Sequence, residues 1–105
     1  MTIEIEPEPP VVIYADWQVD APVDESLLRL VDENWDRDDE SFCSSPGDAD
    51  PEALSLSFDV RAGSCEEAIE HAMPRLAEFG ARLGLAGRLL RVRAYDETGW
   101  SERRL

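Results

Sequence analysis

The side chains best suited to chemistry lie in runs where polar and apolar residues alternate, so that every second side chain projects from the same face of a strand. Acids, arginines and tyrosines alternate with apolar residues in three such runs. If the three strands lie side by side, these positions form one mixed patch of carboxylates, guanidiniums and phenols. The candidate interaction face comprises Tyr14, Asp16, Gln18, Asp59, Arg61, Arg91, Arg93 and Tyr95.

This candidate face has two main interpretations. In the first it is a solvated sheet surface, where each cross-strand ion pair contributes about 0.2–1 kcal/mol. In the second it is a protein contact surface, because Arg and Tyr commonly anchor interfaces, and it pairs with a second copy or with another protein. Some sheets stack RNA bases on their aromatic residues, but the acids beside Tyr14 and the overall charge argue against that use here.

A small enzyme is the alternative class of function. Asp16 and Asp59 could approach each other on adjacent strands, and paired carboxylates raise one pKa for acid and base chemistry. One of them would act as the base, and Arg91 or Arg93 would hold an anionic substrate. The same arginines favour the simpler interpretation, in which both carboxylates are ionised and paired.

The sequence predicts no metal, no cofactor and no catalytic residue. His71 is the single histidine, and Glu67 one helical turn before it would give only two ligands, which are too few for a tight site. Cys43 and Cys65 are expected to be thiols and not a disulfide. No glycine-rich phosphate loop opens a helix.

The charge of the chain is strongly negative and unevenly placed. The formal net charge is −14; residues 1–59 carry 17 Asp and Glu against 2 Arg, giving −15, whereas residues 60–105 carry 7 acids and 8 Arg, giving +1. A negative field repels phosphate backbones and anionic lipids, so we expect no direct binding to nucleic acid or membrane. It speeds encounter with a basic protein, although acidity can also serve solubility alone.

Periodicity and capping residues locate the elements that must position the candidate face. Asp24 is suited to cap the first helix, and Ser64 with Glu67 forms a capping box for the second. Pro74 lies inside the second helix and predicts a kink there or, alternatively, a break. The predicted elements are a strand over 11–20, a helix ending near Trp35, a weak strand over 40–45, a strand over 54–61, a helix ending at Gly84 and a strand over 88–95.

This order predicts an α+β fold, the ferredoxin-like βαββαβ sandwich, with two helices on one face of a four-stranded antiparallel sheet. The strands that begin at Val11 and Leu54 would be central. In the last strand, alternation assigns Leu90 to the core and Leu89 to the open side. Residues 11–96 would form the single domain. Residues 1–10 are predicted to form an acidic, proline-rich tail or a short edge strand. Residues 97–105 are predicted to be a tail that could add an edge strand or dock through Trp100.

The leading hypothesis is a small, acidic, non-enzymatic binding or regulatory protein that engages a basic protein partner, as an immunity protein, an antitoxin or an inhibitor does. A homodimeric scaffold that pairs through the open sheet face is a further alternative to the enzyme. No signal-peptide pattern and no apolar run of membrane-spanning length is visible, so we expect a cytoplasmic location.

Overall fold

Two helices and five strands follow one another in the computed structural model, which describes residues 10–19, 23–35, 39–47, 53–84 and 87–105. Residues 1–9, most of the predicted N-terminal tail, lie outside the described residues. The elements are β1 (Pro10–Val19), α1 (Glu25–Asn34), β2 (Cys43–Pro46), β3 (Ala53–Arg61), α2 (Cys65–Leu83), β4 (Gly87–Asp96) and β5 (Gly99–Arg104).

The five strands form one antiparallel sheet in the order β2-β3-β1-β4-β5. The predicted α+β class is therefore confirmed. The observed sheet differs from the predicted four-stranded ferredoxin-like sheet, because it has a fifth strand and its strand order includes that strand. The extra strand is β5, formed within residues 97–105.

A tight turn between β4 and β5 explains the fifth strand. The Asp96 carboxylate accepts hydrogen bonds from the Thr98 amide (2.8 Å), the Thr98 hydroxyl (2.7 Å) and the Gly99 amide (3.0 Å). The hydrogen bonds from Thr98 lead the interactions that lower the pKa of Asp96. Gly99 has a φ of 157°, a backbone angle that residues with a Cβ atom rarely adopt. The chain therefore reverses at once and pairs back along β4.

A bulge in β4 changes which face of the sheet its first residues lie on, compared with the prediction. Asp16 pairs with Arg91 and Trp17 pairs with Leu89, so Leu90 is an extra residue opposite β1. Because a one-residue shift exchanges the two faces of a strand, Leu89 packs against the core and Leu90 lines a groove on the opposite side. The prediction that placed Leu90 in the core and Leu89 on the open side was wrong.

Both helices begin at the predicted capping residues. The Asp24 carboxylate accepts from the Leu27 amide (2.9 Å), and the Ser64 hydroxyl accepts from the Glu67 amide (3.2 Å). These acceptors satisfy amides that have no partner within the first helical turn. The second helix continues through Pro74 as one element and ends at Gly84, which has a φ of 61°.

The core lies between the helices and one face of the sheet. Alternate residues of β1 face it, together with one face of β3 and the apolar stripe of α2. Its largest fully buried side chains are Phe58, Ile13, Leu54, Leu56, Ile69, Leu76, Val11, Val31 and Val92.

Trp35, just after α1, joins both helices to the sheet. Its ring lies 4.5 Å from Phe42, 4.8 Å from Phe58 and 4.9 Å from Phe79, measured between centroids. The Arg75 guanidinium lies 4.8 Å from the Trp35 centroid, within the range of a cation–π contact.

Asp39 connects this aromatic cluster to the loop before β2. Its carboxylate accepts from the Trp35 indole nitrogen (3.0 Å) and the Ser41 amide (3.1 Å), and it lies 3.6 Å from Arg75 Nη2. The Ser41 hydroxyl also donates to Asp39, and its oxygen accepts from the Asp59 amide at 2.9 Å. Burial acts to raise the pKa of Asp39, but the hydrogen bonds from Ser41 and Trp35, with the charge of Arg75, outweigh it and lower that pKa.

The closest approach of helix to sheet is between α2 and β1. A Cβ atom placed on Gly80 would lie 2.6 Å from Cζ2 of Trp17 and nearer still to its Cη2. The Trp17 indole nitrogen is buried and has no hydrogen-bond partner among the described residues. Trp17 is therefore held by packing, and glycine is required beneath it.

We predict that Gly80→Ala destabilises the protein. Overpacking typically costs about 1–3 kcal/mol, which exceeds the gain in helix propensity of up to about 1 kcal/mol. Urea unfolding should show a lower free energy of unfolding. The loss should shrink in a Trp17→Phe background, where the smaller ring leaves room for the methyl group; an equal loss in both backgrounds would show that the ring is not the obstacle.

We predict that Asp39→Asn lowers the free energy of unfolding by about 1–3 kcal/mol near neutral pH, because a partly buried charged acceptor is lost. The folded-state pKa lies below the ordinary value of 3.8, so this contribution is complete above that value and disappears as the pH falls through the folded pKa. Urea unfolding across acidic pH should show the variant and the wild type converging. The exposed Asp59→Asn is the control, with an expected change of at most about 0.5 kcal/mol; a gap that persists in acid would contradict a role for the Asp39 charge.

Candidate functional site

The candidate site is the sheet face opposite the helices, termed here the open face. It carries the residues that alternate with the core positions of each strand, and β1 lies at its centre. The register places Tyr14 between Ser57 and Arg93, and Asp16 between Ser55 and Arg91. The alternation that predicted these neighbours therefore brings the acid and the arginines together.

Asp16 is the centre of a charged network on this face. Arg91 Nε donates a hydrogen bond to Asp16 Oδ2, and Arg93 Nη2 lies 3.7 Å from the same oxygen. Only 16% of the Asp16 side chain is exposed, so the carboxylate is largely covered by the two guanidiniums. Its hydrogen bond and its charge raise the pKa of Arg91.

Strand β5 adds two residues, Glu102 and Arg104, that were not predicted as part of this face. Glu102 Oε1 lies 3.7 Å from Arg91 Nη1, and Glu102 Oε2 accepts a hydrogen bond from Arg104 Nε at 3.2 Å. The register places Glu102 opposite Arg93 and Arg104 opposite Arg91. The alternation of Trp100, Glu102 and Arg104 after a turn was the available signal.

Three aromatic rings form a second part of the open face, the aromatic ridge of Tyr14, Tyr95 and Trp100. Tyr14 and Tyr95 meet edge to face with centroids 5.5 Å apart, and Tyr95 stacks with Trp100 at 6.2 Å. Arg93 lies 5.9 Å from the Tyr14 centroid and donates to the Tyr95 hydroxyl at 3.4 Å. Trp100 is 62% exposed and Tyr14 is 38% exposed, so this ridge presents apolar surface to solvent.

The remaining predicted residues lie away from the network. Gln18 is exposed opposite Ala53, and Arg61 lies opposite Pro10 at the far end of β3. Asp59 is exposed and lies four residues along β3 from the residue that pairs with Asp16, about 13 Å at strand spacing. The predicted approach of Asp16 and Asp59 was therefore wrong.

A groove of about 670 Å³ crosses all five strands of the open face. The carboxylate in its lining is Asp16, which Arg91 and Arg93 already engage. Catalysis by a general base requires a carboxylate that can take a proton from substrate, and a carboxylate held by two guanidiniums is a poor base. The groove is lined by Tyr14, Asp16, Ser45, Pro46, Gly47, Ala53, Ser55, Leu90, Arg91, Arg93 and Arg104.

Other groups that could do chemistry lie apart. Among the residues that the structure describes, no three His, Cys, Asp or Glu side chains lie together in a way that could hold a metal ion. His71 Nε2 lies 3.8 Å from Glu67 on the exposed surface of α2. Cys43 and Cys65 are both free thiols, and burial together with Asp96 raises the pKa of Cys65, which disfavours a reactive thiolate.

Comparison with known protein families, with curated proteins and with solved structures found no match. No helix within the described ranges is long and apolar enough to cross a membrane. Functional inference for this chain therefore rests on the geometry of its own surfaces.

We predict that Asp16 and Arg91 stabilise the fold as a pair. A double-mutant cycle of Asp16→Asn and Arg91→Gln, measured by urea unfolding, should give a coupling free energy of about 1 kcal/mol, because the carboxylate is largely covered. The exposed pair of Glu78 and Arg82, 3.0 Å apart, is the matched control, with an expected coupling of at most about 0.5 kcal/mol. Equal coupling in the two cycles would contradict a special role for the Asp16 network.

Proposed function

We propose that the protein is a small acidic binding or regulatory protein that acts without catalysis and engages a basic protein partner through α1. The contact surface is the acidic face of α1, defined by the exposed side chains of Asp24, Glu25, Asp32 and Glu33. The observation that carries the proposal is that these carboxylates are exposed to solvent, whereas Asp16 and Glu102 on the open face are covered by arginines.

The acidic face has the features of a charge-steered contact surface. Arg29 is the one basic residue of α1, and no cation among the described residues forms an ion pair with Glu25 or Glu33. The Asp32 carboxylate accepts from the Ser44 hydroxyl at 2.8 Å, which fixes one charge toward β2. Four exposed carboxylates outnumber the single Arg29 on this face, and the resulting negative potential attracts a basic surface.

A shallow groove of about 550 Å³ supports the same interpretation. It is lined by Glu25, Leu28, Arg29, Asp32 and Glu33. Leu28 is the apolar residue of this lining. A partner would therefore meet both charge and some apolar surface, the combination that interfaces commonly use.

The enzyme alternative has less support. It requires a carboxylate base beside an arginine that holds substrate, but Arg91 and Arg93 are directed to Asp16 itself. Asp59 lies too far along β3 to share that groove.

The fold type and the cellular location are part of the same proposal. We infer a ferredoxin-like sandwich extended by β5, supported by the element order and by the neighbours β2-β3-β1-β4 within the sheet. The cytoplasmic location predicted from the sequence is likewise proposed.

A homodimer through the open face is the second candidate function. The aromatic ridge favours it, because Tyr and Trp are enriched at protein interfaces and a 62% exposed Trp100 leaves apolar surface in water. The two candidates use opposite sides of the molecule and are compatible.

We predict that the partner captured from extracts of the native host is basic and that α1 binds it. In purified form, Glu25→Gln/Asp32→Asn/Glu33→Gln should weaken its affinity about tenfold, given about 0.2–1 kcal/mol for each exposed charge contact. The control Glu66→Gln/Glu70→Gln/Glu97→Gln removes the same charge from exposed sites outside α1 and should have a much smaller effect.

The difference in affinity for the partner between the two variants should shrink as salt is added, because salt screens the charge contacts. A captured partner that is not basic, equal losses in both variants, or affinity independent of salt would contradict the proposal.

A further inference from the structure

In the part of the chain that the structure describes, the edge strand β5 pairs on one side only, with β4. The Leu105 amide donates to the Leu90 carbonyl at 3.0 Å, so this amide faces β4. Amides alternate in direction along a strand, and those of Trp100, Glu102 and Arg104 therefore point away from the sheet. A row of unpaired donors and acceptors is a template for another strand.

The two edges of the sheet differ in how well they resist such pairing. The edge at β2 has four residues and ends in Pro46, which cannot donate to a neighbouring strand. The edge at β5 has six residues and no proline. It also carries Trp100, whose exposed ring already stacks with Tyr95. The available edge is therefore β5.

We propose that β5 pairs in antiparallel orientation with β5 of a second copy, so that the two sheets become continuous. The inference rests on the second candidate function, the homodimer, and is independent of the basic partner. It replaces contact through the centre of the open face with contact along its edge.

The side chains of β5 suit a second copy of the same strand. On the open face the strand presents Trp100, Glu102 and Arg104 in sequence. Antiparallel pairing that places Arg104 of one molecule opposite Glu102 of the other gives two ion pairs by symmetry. The same register places Arg103 opposite its own copy, but this side chain is exposed and lies on the other face of the strand. The aromatic ridge would then lie beside the junction in both molecules.

The grooved open face is a poorer surface for a flat contact. A groove of about 670 Å³ crosses it, so two copies placed face to face would leave an unfilled space between the sheets. Edge pairing leaves this groove open and satisfies backbone groups directly.

The net charge makes a distinctive prediction for this dimer. Each copy carries −14, so the two molecules repel each other at long range, and added salt should strengthen the dimer by screening that repulsion. Binding of a basic partner should weaken with salt. The two proposals therefore respond in opposite directions.

Sedimentation velocity of the full chain tests the inference, with Arg104→Pro compared with Arg104→Gln. Both variants remove the guanidinium, but only proline removes the amide that points away from β4. The wild type and Arg104→Gln should dimerise, increasingly with salt, and Arg104→Pro should dimerise at least about tenfold more weakly than Arg104→Gln, since each dimer loses two hydrogen bonds. Circular dichroism should show that both variants remain folded.

Three results would overturn the inference. Equal dimerisation of the two Arg104 variants would exclude backbone pairing at this edge. A dimer that is lost in Tyr14→Ser but kept in Arg104→Pro would favour the central open face, leaving the homodimer and rejecting the edge. A wild type that stays monomeric at millimolar concentration in high salt would reject both, without affecting the proposed basic partner.

Discussion

The close approach of Trp17 to Gly80 is the contact on which the arrangement of the molecule depends. It joins α2 to β1, the middle strand of the order β2-β3-β1-β4-β5, at a distance that leaves no room for a Cβ atom. Trp35 adds a second connection, because its ring contacts Phe58 of β3 and Phe79 of α2. With the helices packed on this side, the opposite face of the sheet presents its side chains to solvent.

The charged side chains of the open face and those of α1 have different surroundings. On the open face, Asp16 and Glu102 lie within arrays of arginines, so the carboxylates act mainly on their own protein. On α1 the exposed carboxylates have few cationic neighbours and act on whatever approaches. A net charge of −14 thus does not describe either surface alone. We propose that the acidic face of α1 binds a basic protein and that the edge of the open face binds a second copy.

Much of this could be predicted from sequence, because alternation and capping are local signals. The buried positions of β1, both helix starts and the meeting of Asp16 with Arg91 follow from them. The bulge at Leu90 does not, and the strand β5 was only one of two possibilities for residues 97–105. A bulge breaks the period-two rule that the prediction uses, and a six-residue strand is stable through pairing with β4 more than through its own composition. Because the edge strand was left as one possibility, Glu102 and Arg104 were not assigned to the site. The separation of Asp16 from Asp59 required the strand register.

Amide chemical-shift mapping of the isotopically labelled protein, titrated with its basic partner, tests most directly whether the acidic face of α1 is the binding surface. We predict shifts concentrated in Glu25–Asn34 and the adjoining β2, with small changes in the amides of β1, β4 and β5. Shifts concentrated on the open face, with α1 unchanged, would contradict it.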